Sequence, residues 1–576
     1  MRTLEFNTAL GDSPIFMVQL KGHEGLSQLF EYQLQLVTQQ PLPEANTLIG
    51  KDVSFAIMQQ SQVLRQFNGI LTSLCKAPDP SRMQWYCYRA TVRPWLWLLT
   101  HNIDCRIFPN CSSTLRKKVK LVAILQELLD HYKPYKTDYS HISGNYPERE
   151  FCVQYNETDY NFLTRLLEEH GIFYLFSQTK TEHGLILGDE ASAYGKNTIT
   201  PYTLGVPNSN DPQIFDWLHY YNYIPQGHSV NSHDYQNPTL KLLAQSDSTV
   251  QLATRCAQQK HRYPARHLTR NDGTLYASRA ISSEETQYSI VNAASNIANM
   301  AAGDKVSLRP GTLGQEQQRE FIITTLDFQV DDNNLPGMVV ATPQYRNDFT
   351  AIPSNQLFRP QRLAVKPHSY ELHEAVITGA KGEELHTDPN GCHRIQFCWD
   401  TYSQADANAS CWVRYAAQNE GMLRVGTPVL VSFLQGDIDQ PIILAPLYDA
   451  QQKPLFTEPT MSGIKRRPGL NSDGSYYNEL RFNDKKDNGQ VYLNVYNDMK
   501  CDIGHDLMTE VKKGNDTLII DEGNLIITVK KGEYQLTVKG NITIKTDGDL
   551  GLTAKNINLT ASGQINASGK NINLNQ

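Results

Sequence analysis

Few residue combinations in this sequence could carry out catalysis. "LEEHG" (167–171) places two glutamates before a histidine in a helical pattern, and these residue types serve general acid–base chemistry. The spacing does not match the zinc motif H-E-x-x-H, and no G-x-S-x-G nucleophile motif occurs. "GQINASGKN" (563–571) has the glycines and lysine of a phosphate loop, but Asn571 stands where such a loop needs Ser or Thr. We therefore predict no catalytic residue, no cofactor and no enzyme activity.

Two acidic loops are the candidates for a metal site. "DIDQP" (437–441) and "VDDNN" (330–334) contain the carboxylates and amides that bind calcium. The same residue types are common in solvated turns, and we expect Asp437 and Asp439 to shape the turn before Pro441. The sequence therefore predicts turns here and no metal ligands.

The ten cysteines do not form a metal-binding pattern. No C-x-x-C pair occurs, and the spacing C-x5-C, found at Cys105/Cys111 and at Cys392/Cys398, matches no common zinc arrangement. In a chain of this size we expect reduced, buried cysteines that pack as small hydrophobic residues.

Charge and hydropathy narrow the possible partners and locations. The net charge of −7 on 576 residues gives no reason to expect a nucleic-acid partner. The N-terminus lacks the apolar run of a signal peptide, and no stretch approaches the roughly 18 apolar residues of a membrane span. We expect synthesis in the cytoplasm and, if the protein is secreted, a route that reads no N-terminal signal.

The elements that would position any site are mostly short strands, interrupted by helices. An amphipathic pattern at Val119, Val122, Leu125 and Leu129 predicts one helix. A second is predicted at "ETDYNFLTRLLEEHG", with Thr158 as N-cap and Gly171 as its end, and its buried face is formed by Phe162, Leu163, Leu166 and Leu167. A third helix is predicted within "TQYSIVNAASNIANMAAGD" (286–304).

The second half of the chain has a different sequence pattern. Five short strands between residues 370 and 450 fit an OB-type barrel. A polar, glycine-bearing connector with two strand fragments follows, up to about residue 510. From residue 511 the pattern becomes periodic: glycines fall at 514, 523, 532, 540 and 548, and "KNINL" occurs at 555–559 and 570–574.

The periodic tail predicts strands that one chain cannot bury. Apolar residues alternate with polar ones, and eight residues make a strand of about 26 Å. Two inward side chains per repeat cannot offset an ordering cost of about 1 to 2 kcal/mol per residue unless that face is covered. Three copies would cover it as the sides of a triangular prism; the alternative is an antiparallel meander. The residues predicted to face the prism axis are Leu536, Val538, Ile542, Ile544, Leu550, Leu552, Ile557, Leu559, Ile565, Ile572 and Leu574.

Four stretches show a family resemblance: "CVQYNETDYNFLTRLLEEHGIFYLF" (152–176), "SCWVRYA" (410–416), "VSFLQGDIDQPII" (431–443) and "SGIKRR…NELRFNDKKDNGQVYL" (462–493). Together they resemble VgrG, the spike protein of bacterial type VI secretion systems. The resemblance implies a mainly β fold with a few helices: a phage-hub-like region of two β-barrel-like domains (1–365), an OB-fold barrel (370–450), a connector (451–510) and an intertwined trimeric β-helix needle (511–576).

The resemblance also implies a function. The expected protein is a non-enzymatic homotrimeric spike on an Hcp tube, which pierces target envelopes, transiently contacts the target membrane and carries effectors. Implied partners are Hcp hexamers at the hub base, a PAAR-repeat tip protein or cargo effectors at the needle, and baseplate components. The spike would be secreted into the medium or a target cell. Alternatives are a contractile phage baseplate spike and a spike-borne effector enzyme. Because the repeat continues to Gln576, we expect no toxin domain after it.

Overall fold

The structure is a computed structural model, and it divides into two units, Met1–Tyr496 and Asn497–Gln576. It describes residues 3–8, 10, 13–78, 84–109, 120–149, 151–195, 197–199, 212–253, 258–308, 316, 319–335, 342–416, 421–466 and 476–574.

Strands dominate the first unit, as predicted. In chain order they are β1 (Leu4–Phe6), β2 (Ile15–Gly25), β3 (Glu31–Thr38), β4 (Asp52–Gln59), β5 (Gln62–Lys76), β6 (Tyr86–Arg93), β7 (Ile103–Phe108), β8 (Thr137–His141), β9 (Cys152–Thr158), β10 (Phe173–Gln178), β11 (His183–Gly188), β12 (Thr198–Ile199), β13 (Ile214–Tyr221), β14 (Gly227–Val230), β15 (Ala244–Asp247), β16 (Gln259–Arg262), β17 (Ser289–Ser295), β18 (Lys305–Ser307), β19 (Glu320–Asp331), β20 (Gln344–Pro353), β21 (His373–Thr378), β22 (Arg394–Phe397), β23 (Arg414–Tyr415), β24 (Pro428–Phe433), β25 (Pro441–Pro446), β26 (Met461–Arg466), β27 (Asn478–Asn483) and β28 (Gln490–Asn494). The α-helices of the described residues are α1 (Leu121–Leu129), α2 (Asp159–His170) and α3 (Arg270–Glu285). None of these helices is both long and apolar enough to cross a membrane.

The hub, formed by β1–β20 and α1–α3, is built around one large sheet. Within the described residues its strand order is β1-β4-β5-β6-β3-β2-β19-β20-β17-β13, with β18 paired to β19 and β12 to β18. Alternation sets the buried face: in β3, Tyr32, Leu34 and Leu36 are buried, whereas Gln33 is exposed. These inward side chains join those of β2, β4, β5, β19 and β20 in one apolar core.

Helix α2 has the boundaries and the buried face that the sequence predicts. The Thr158 hydroxyl accepts the backbone N–H of Asn161 at 3.0 Å, and Gly171 ends the helix with a left-handed φ of 65°. The predicted apolar face is fully packed against α1 and the β10-β11-β8 sheet, with Phe162, Leu163, Leu166 and Leu167 all buried. The helix therefore joins two sheets of the hub, as a scaffold element does.

Helix α1 is shifted around its axis relative to the prediction. Leu125 and Leu129 are buried as expected, but Val122 is only half-buried and Val119 lies outside the described residues. The buried face is centred on Leu121, Ile124 and Leu128 because these side chains contact the same core as α2.

The helix predicted at 286–304 is wrong. Residues Ser289–Ser295 form β17, which pairs with both β13 and β20, and Val291 is fully buried there. Sheet pairing on both sides outweighs the helix propensity of its alanines. The helix, α3, instead precedes this strand and begins where the Thr269 hydroxyl accepts the N–H of Asp272 at 3.1 Å.

The barrel, formed by β21–β25, contains the five strands that the sequence predicts. Their order is β22-β21-β24-β25-β23. The two outer strands are joined by a backbone bridge in which His393 and Val413 exchange two hydrogen bonds, each of 2.8 Å. That bridge closes the sheet on itself, so its inward side chains form a core, which also receives Ile107 and Val153 from the hub.

The connector contains a three-stranded antiparallel sheet, β26-β27-β28. Two of these strands were predicted from "ELRF" and "QVYLNVY". The first strand, β26, pairs with β27 over its whole length.

The second unit differs from the first in its secondary structure and in its burial. Among the described residues 497–574 there is no helix, no strand ladder and no backbone–backbone hydrogen bond, and every residue is exposed. Gly514, Gly523 and Gly532 share nearly the same backbone conformation, with φ of 114°, 116° and 114°. Over these three positions the sequence repeat is therefore also a conformational repeat, in a segment whose described residues form no backbone–backbone hydrogen bond.

Candidate functional site

His170, the histidine of "LEEHG", is a fully buried packing residue. The guanidinium Nη2 of Arg149 donates to its Nε2 at 3.0 Å, and the Tyr146 ring meets it edge-on. Burial and the positive charge of Arg149 lower the pKa of His170 to about 3, so the ring is neutral at physiological pH. A neutral, enclosed imidazole that already accepts a hydrogen bond is not placed to exchange protons with a substrate.

The two glutamates of the same motif also make structural contacts. Glu169 pairs with Arg149 at 3.0 Å. Glu168 accepts the backbone N–H groups of Leu363 and Ala364 at 2.7 and 2.8 Å and so holds the segment that leads to the barrel. The motif therefore anchors the end of α2.

The "DIDQP" loop forms the predicted turn. The Asp437 carbonyl accepts the N–H of Gln440 at 2.7 Å, and its carboxylate accepts the N–H of Asp439 at 3.2 Å. The larger role of these aspartates is not visible in the sequence. Arg266 and Lys366, both distant in the chain, bind them at 2.5–2.7 Å.

This set of four side chains, here called the junction cluster (Arg266, Lys366, Asp437 and Asp439), connects hub and barrel. Asp439 also accepts the backbone N–H of Val153 in β9 at 2.5 Å. Burial alone would raise the pKa of Asp439, but the charges of Lys366 and Arg266 outweigh burial and lower it below its usual range. Asp439 is therefore a buried, fully compensated carboxylate.

The second acidic loop and the cysteines show no metal site. Asp332 of "VDDNN" accepts the N–H of Thr3 at 2.7 Å and thereby ties the N-terminus to β19. Across the described residues, no three His, Cys, Asp or Glu side chains gather in an arrangement that could hold a metal.

The cysteines correct one expectation. All eight within the described ranges are free thiols, but only three are buried: Cys87, Cys152 and Cys392. Cys75, Cys398 and Cys501 are exposed; Cys75 points outward from β5 by strand alternation, and Cys398 lies in the turn after β22. Cys111 and Cys256 lie outside the described residues.

The eleven side chains predicted to face a trimer axis all lie in the second unit. In the single chain their exposed fractions range from 45% for Val538 to 85% for Leu574. "GQINASGKN" lies in the same extended segment, with no helix beside it to form a phosphate loop. An exposed apolar row along an unpaired backbone is typical of a surface that other chains cover.

The β26-β27-β28 sheet presents a second surface of this kind. Ile464, Leu480 and Leu493 form one cross-strand row, and Phe482 and Val491 form the next. These side chains are exposed, Val491 by 65%.

The opposite face of this sheet is polar. Glu479 is only 3% exposed and lies near Lys465 and Arg481 at 3.5 and 3.2 Å. A sheet that exposes its apolar face lacks a covering layer in the single chain. Sequence reasoning missed this surface because it treated the segment as a connector, although the alternation in "ELRF" and "QVYL" was the available signal.

Known proteins match both units. A family model of the phage tail baseplate hub (GPD) matches residues 23–334, and a model of the bacteriophage T4 gp5 C-terminal trimerisation domain matches residues 462–571. The second match covers the β26-β27-β28 sheet and nearly all of the tail. The structure is similar to that of the E. coli c3393 protein, described as a type VI secretion component that resembles phage T4 gp27 and gp5. The TM-score is 0.55 at 18% identity, over 77% of this chain and 99% of that one.

Two sequence relatives are named as spike proteins. The chain is 31% identical to the type VI secretion system spike protein VgrG1c of Pseudomonas aeruginosa, over 88% of this chain and 71% of that protein. It is 30% identical to VgrG1a of the same organism, over 88% of this chain and 80% of that protein. This identity and coverage, in a chain with a hub, a closed five-stranded barrel and a repeat tail, show that the chain belongs to the VgrG family of type VI secretion system spike proteins.

Proposed function

We propose that the protein is a homotrimeric, non-enzymatic puncturing spike that carries effectors on a type VI secretion tube. The proposal assigns residues 1–365 to the hub, 370–450 to the OB-fold barrel, 451–510 to the connector and 511–576 to the needle. The observation that supports it most strongly is the tail: in its described residues, 511–574, the apolar row is exposed and no backbone–backbone hydrogen bond forms in the single chain.

Physical reasoning favours three copies. An extended chain that hydrogen-bonds only to water gains nothing to offset its ordering cost of about 1 to 2 kcal/mol per residue. Adjacent copies would pair the backbone groups and bury the eleven apolar side chains together, and cyclic symmetry leaves no open sheet edge. The match of residues 462–571 to a trimerisation domain supports three copies over two.

The partners follow from the proposed position of the spike. Hcp hexamers would contact the hub base, and a PAAR-repeat protein or cargo effectors would bind the needle end. Baseplate components would hold the spike before firing, and the target membrane would be contacted transiently. The protein would be made in the cytoplasm and leave through the apparatus, without a signal peptide.

The mass of the purified protein in solution tests the trimer. Light scattering should give about three times the 65.2 kDa of one chain, because a single copy leaves the tail uncovered. A folded, monodisperse single copy in dilute buffer would contradict the proposal.

The exposed apolar face of the β26-β27-β28 sheet leads to a second prediction about assembly. Phe482→Lys should weaken the trimer, because other copies would cover this face and a buried unpaired ammonium is costly. Val63→Lys, which changes an exposed apolar residue at the start of β5, is the matched control and should leave assembly unchanged. Sedimentation velocity at decreasing concentration measures both. Equal dissociation of the two variants would show that the β27 face is not in the interface.

A phage baseplate spike is the second candidate, favoured by the hub match over residues 23–334. The two functions differ in the tube that the hub binds. Pull-down from cells that assemble a type VI apparatus should recover Hcp with the first function and no Hcp with the second.

A further inference from the structure

A cavity of about 370 Å³ lies between the hub and the barrel. Its walls come from the end of α2, from β16 and the turn after it, from the segment 362–368 and from the barrel turn 435–437. Cationic side chains outnumber carboxylates in its lining: Arg165, Arg262, Arg266, Arg362 and Lys366, against Glu168, Glu169 and Asp437.

Three of these cations are already paired. Arg165 binds Glu157 at 2.7 Å. Arg266 and Lys366 each bind Asp437 at 2.6 Å, within the junction cluster. Their charges are therefore neutralised inside the protein and are not available to a ligand.

Arg262 and Arg362 are the remaining two. Within the described residues, neither guanidinium forms an ion pair, and the hydrogen bond found for their side chains runs from Arg362 Nη2 to the carbonyl of Glu169 at 3.0 Å. Arg149 compensates the Glu169 carboxylate, and the Glu168 carboxylate accepts two backbone N–H groups. Two cations that form no ion pair within the described residues thus line a cavity whose carboxylates already have partners.

We propose that this cavity binds a phosphate-sized oxyanion, with Arg262 and Arg362 as its main ligands. A guanidinium presents a planar fork of N–H donors that matches phosphate oxygens, and two such forks lining the same cavity suit a dianion. The bound oxyanion bridges β16 of the hub to the segment that leads into the barrel, so it stiffens the junction. Inorganic phosphate and the phosphate monoester of a nucleotide offer the same chemistry. This inference does not depend on the trimer.

Isothermal titration of the full chain with inorganic phosphate and, separately, with AMP tests the site, at constant ionic strength set with chloride. We expect one binding event per chain, and each of Arg262→Gln and Arg362→Gln should raise Kd about tenfold or more, the effect of about 1.4 kcal/mol. Tighter binding of AMP than of phosphate identifies a phosphate ester as the ligand, and the reverse order identifies the free ion. The melting temperature should rise with the ligand in the parent protein and not in the variants.

Arg346→Gln is the matched control, because Arg346 is an exposed cation that does not line the cavity. It should bind the ligand as the parent does. Circular dichroism without ligand verifies that each variant is folded. The proposal is overturned if neither ligand binds at millimolar concentration, or if the Arg262 and Arg362 variants bind as tightly as the Arg346 variant.

Discussion

Replacing Ile557 and Leu559 together with Asp is expected to abolish the proposed trimer. Each copy would place two carboxylates on the face that the other copies cover, so three charges would meet in each layer near the axis. A buried charge without a partner costs several kcal/mol, far more than the repeat gains by pairing. Light scattering should show single copies, and limited proteolysis should remove the tail that the parent trimer protects.

The same repeat provides the control. Asn556→Asp with Asn558→Asp adds the same charge on the alternate positions, which point outward if the assignment is right. This variant should remain a protease-resistant trimer. Loss of the trimer in the Asn pair, with an intact trimer in the Ile557/Leu559 pair, would mean that the inward and outward faces have been exchanged.

Asp439→Asn is expected to have the largest effect on the hub and barrel. The substitution keeps the shape of the side chain but removes the charge that compensates Lys366 and Arg266, and Asp439 is only 1% exposed. Breaking a buried ion pair from one side costs about 3–5 kcal/mol. Urea unfolding followed by tryptophan fluorescence should show a clearly lower midpoint, whereas Asp348→Asn, at an exposed carboxylate in β20, should not change it.

The pH dependence provides an independent test of this cluster. Because the pKa of Asp439 is lowered in the folded protein, its contribution is present above the unfolded pKa of about 3.9 and is lost as pH falls through the folded pKa. The stability difference between parent and Asp439→Asn should therefore be constant near neutral pH and shrink under strongly acidic conditions. A difference that grows on acidification would show that Asp439 does not act as a compensated carboxylate.

Local signals in the sequence were sufficient for the elements that depend on local chemistry. Thr158 and Gly171 set the ends of α2 through a cap and a left-handed residue, and both are readable from residue type alone. The five barrel strands follow from alternation between turn signals. Helix 286–304 failed because the pairing of β17 with β13 and β20 is decided by strands that are distant in the chain.

The junction cluster is a site that local sequence signals could not reveal, because its members are distant in the chain. From the sequence, Asp437 and Asp439 are recognised only as turn residues. Their partners Arg266 and Lys366 precede Asp437 in the chain by 171 and 71 residues. No spacing rule connects them. The needle residues Ile557 and Leu559 stay a prediction, because the partners proposed for them belong to other copies of the chain.

The unequal glycine spacing of the tail bears on which chains can assemble with one another. The intervals run nine, nine, eight and eight, and the positive φ angles of Gly514, Gly523 and Gly532 repeat over the first two of these intervals. If a related tail repeated every eight residues throughout, it would be out of phase after one interval, and a one-residue slip turns the apolar row toward water. Where several spike proteins are made in one cell, the repeat length would then restrict assembly to chains that have the same spacing.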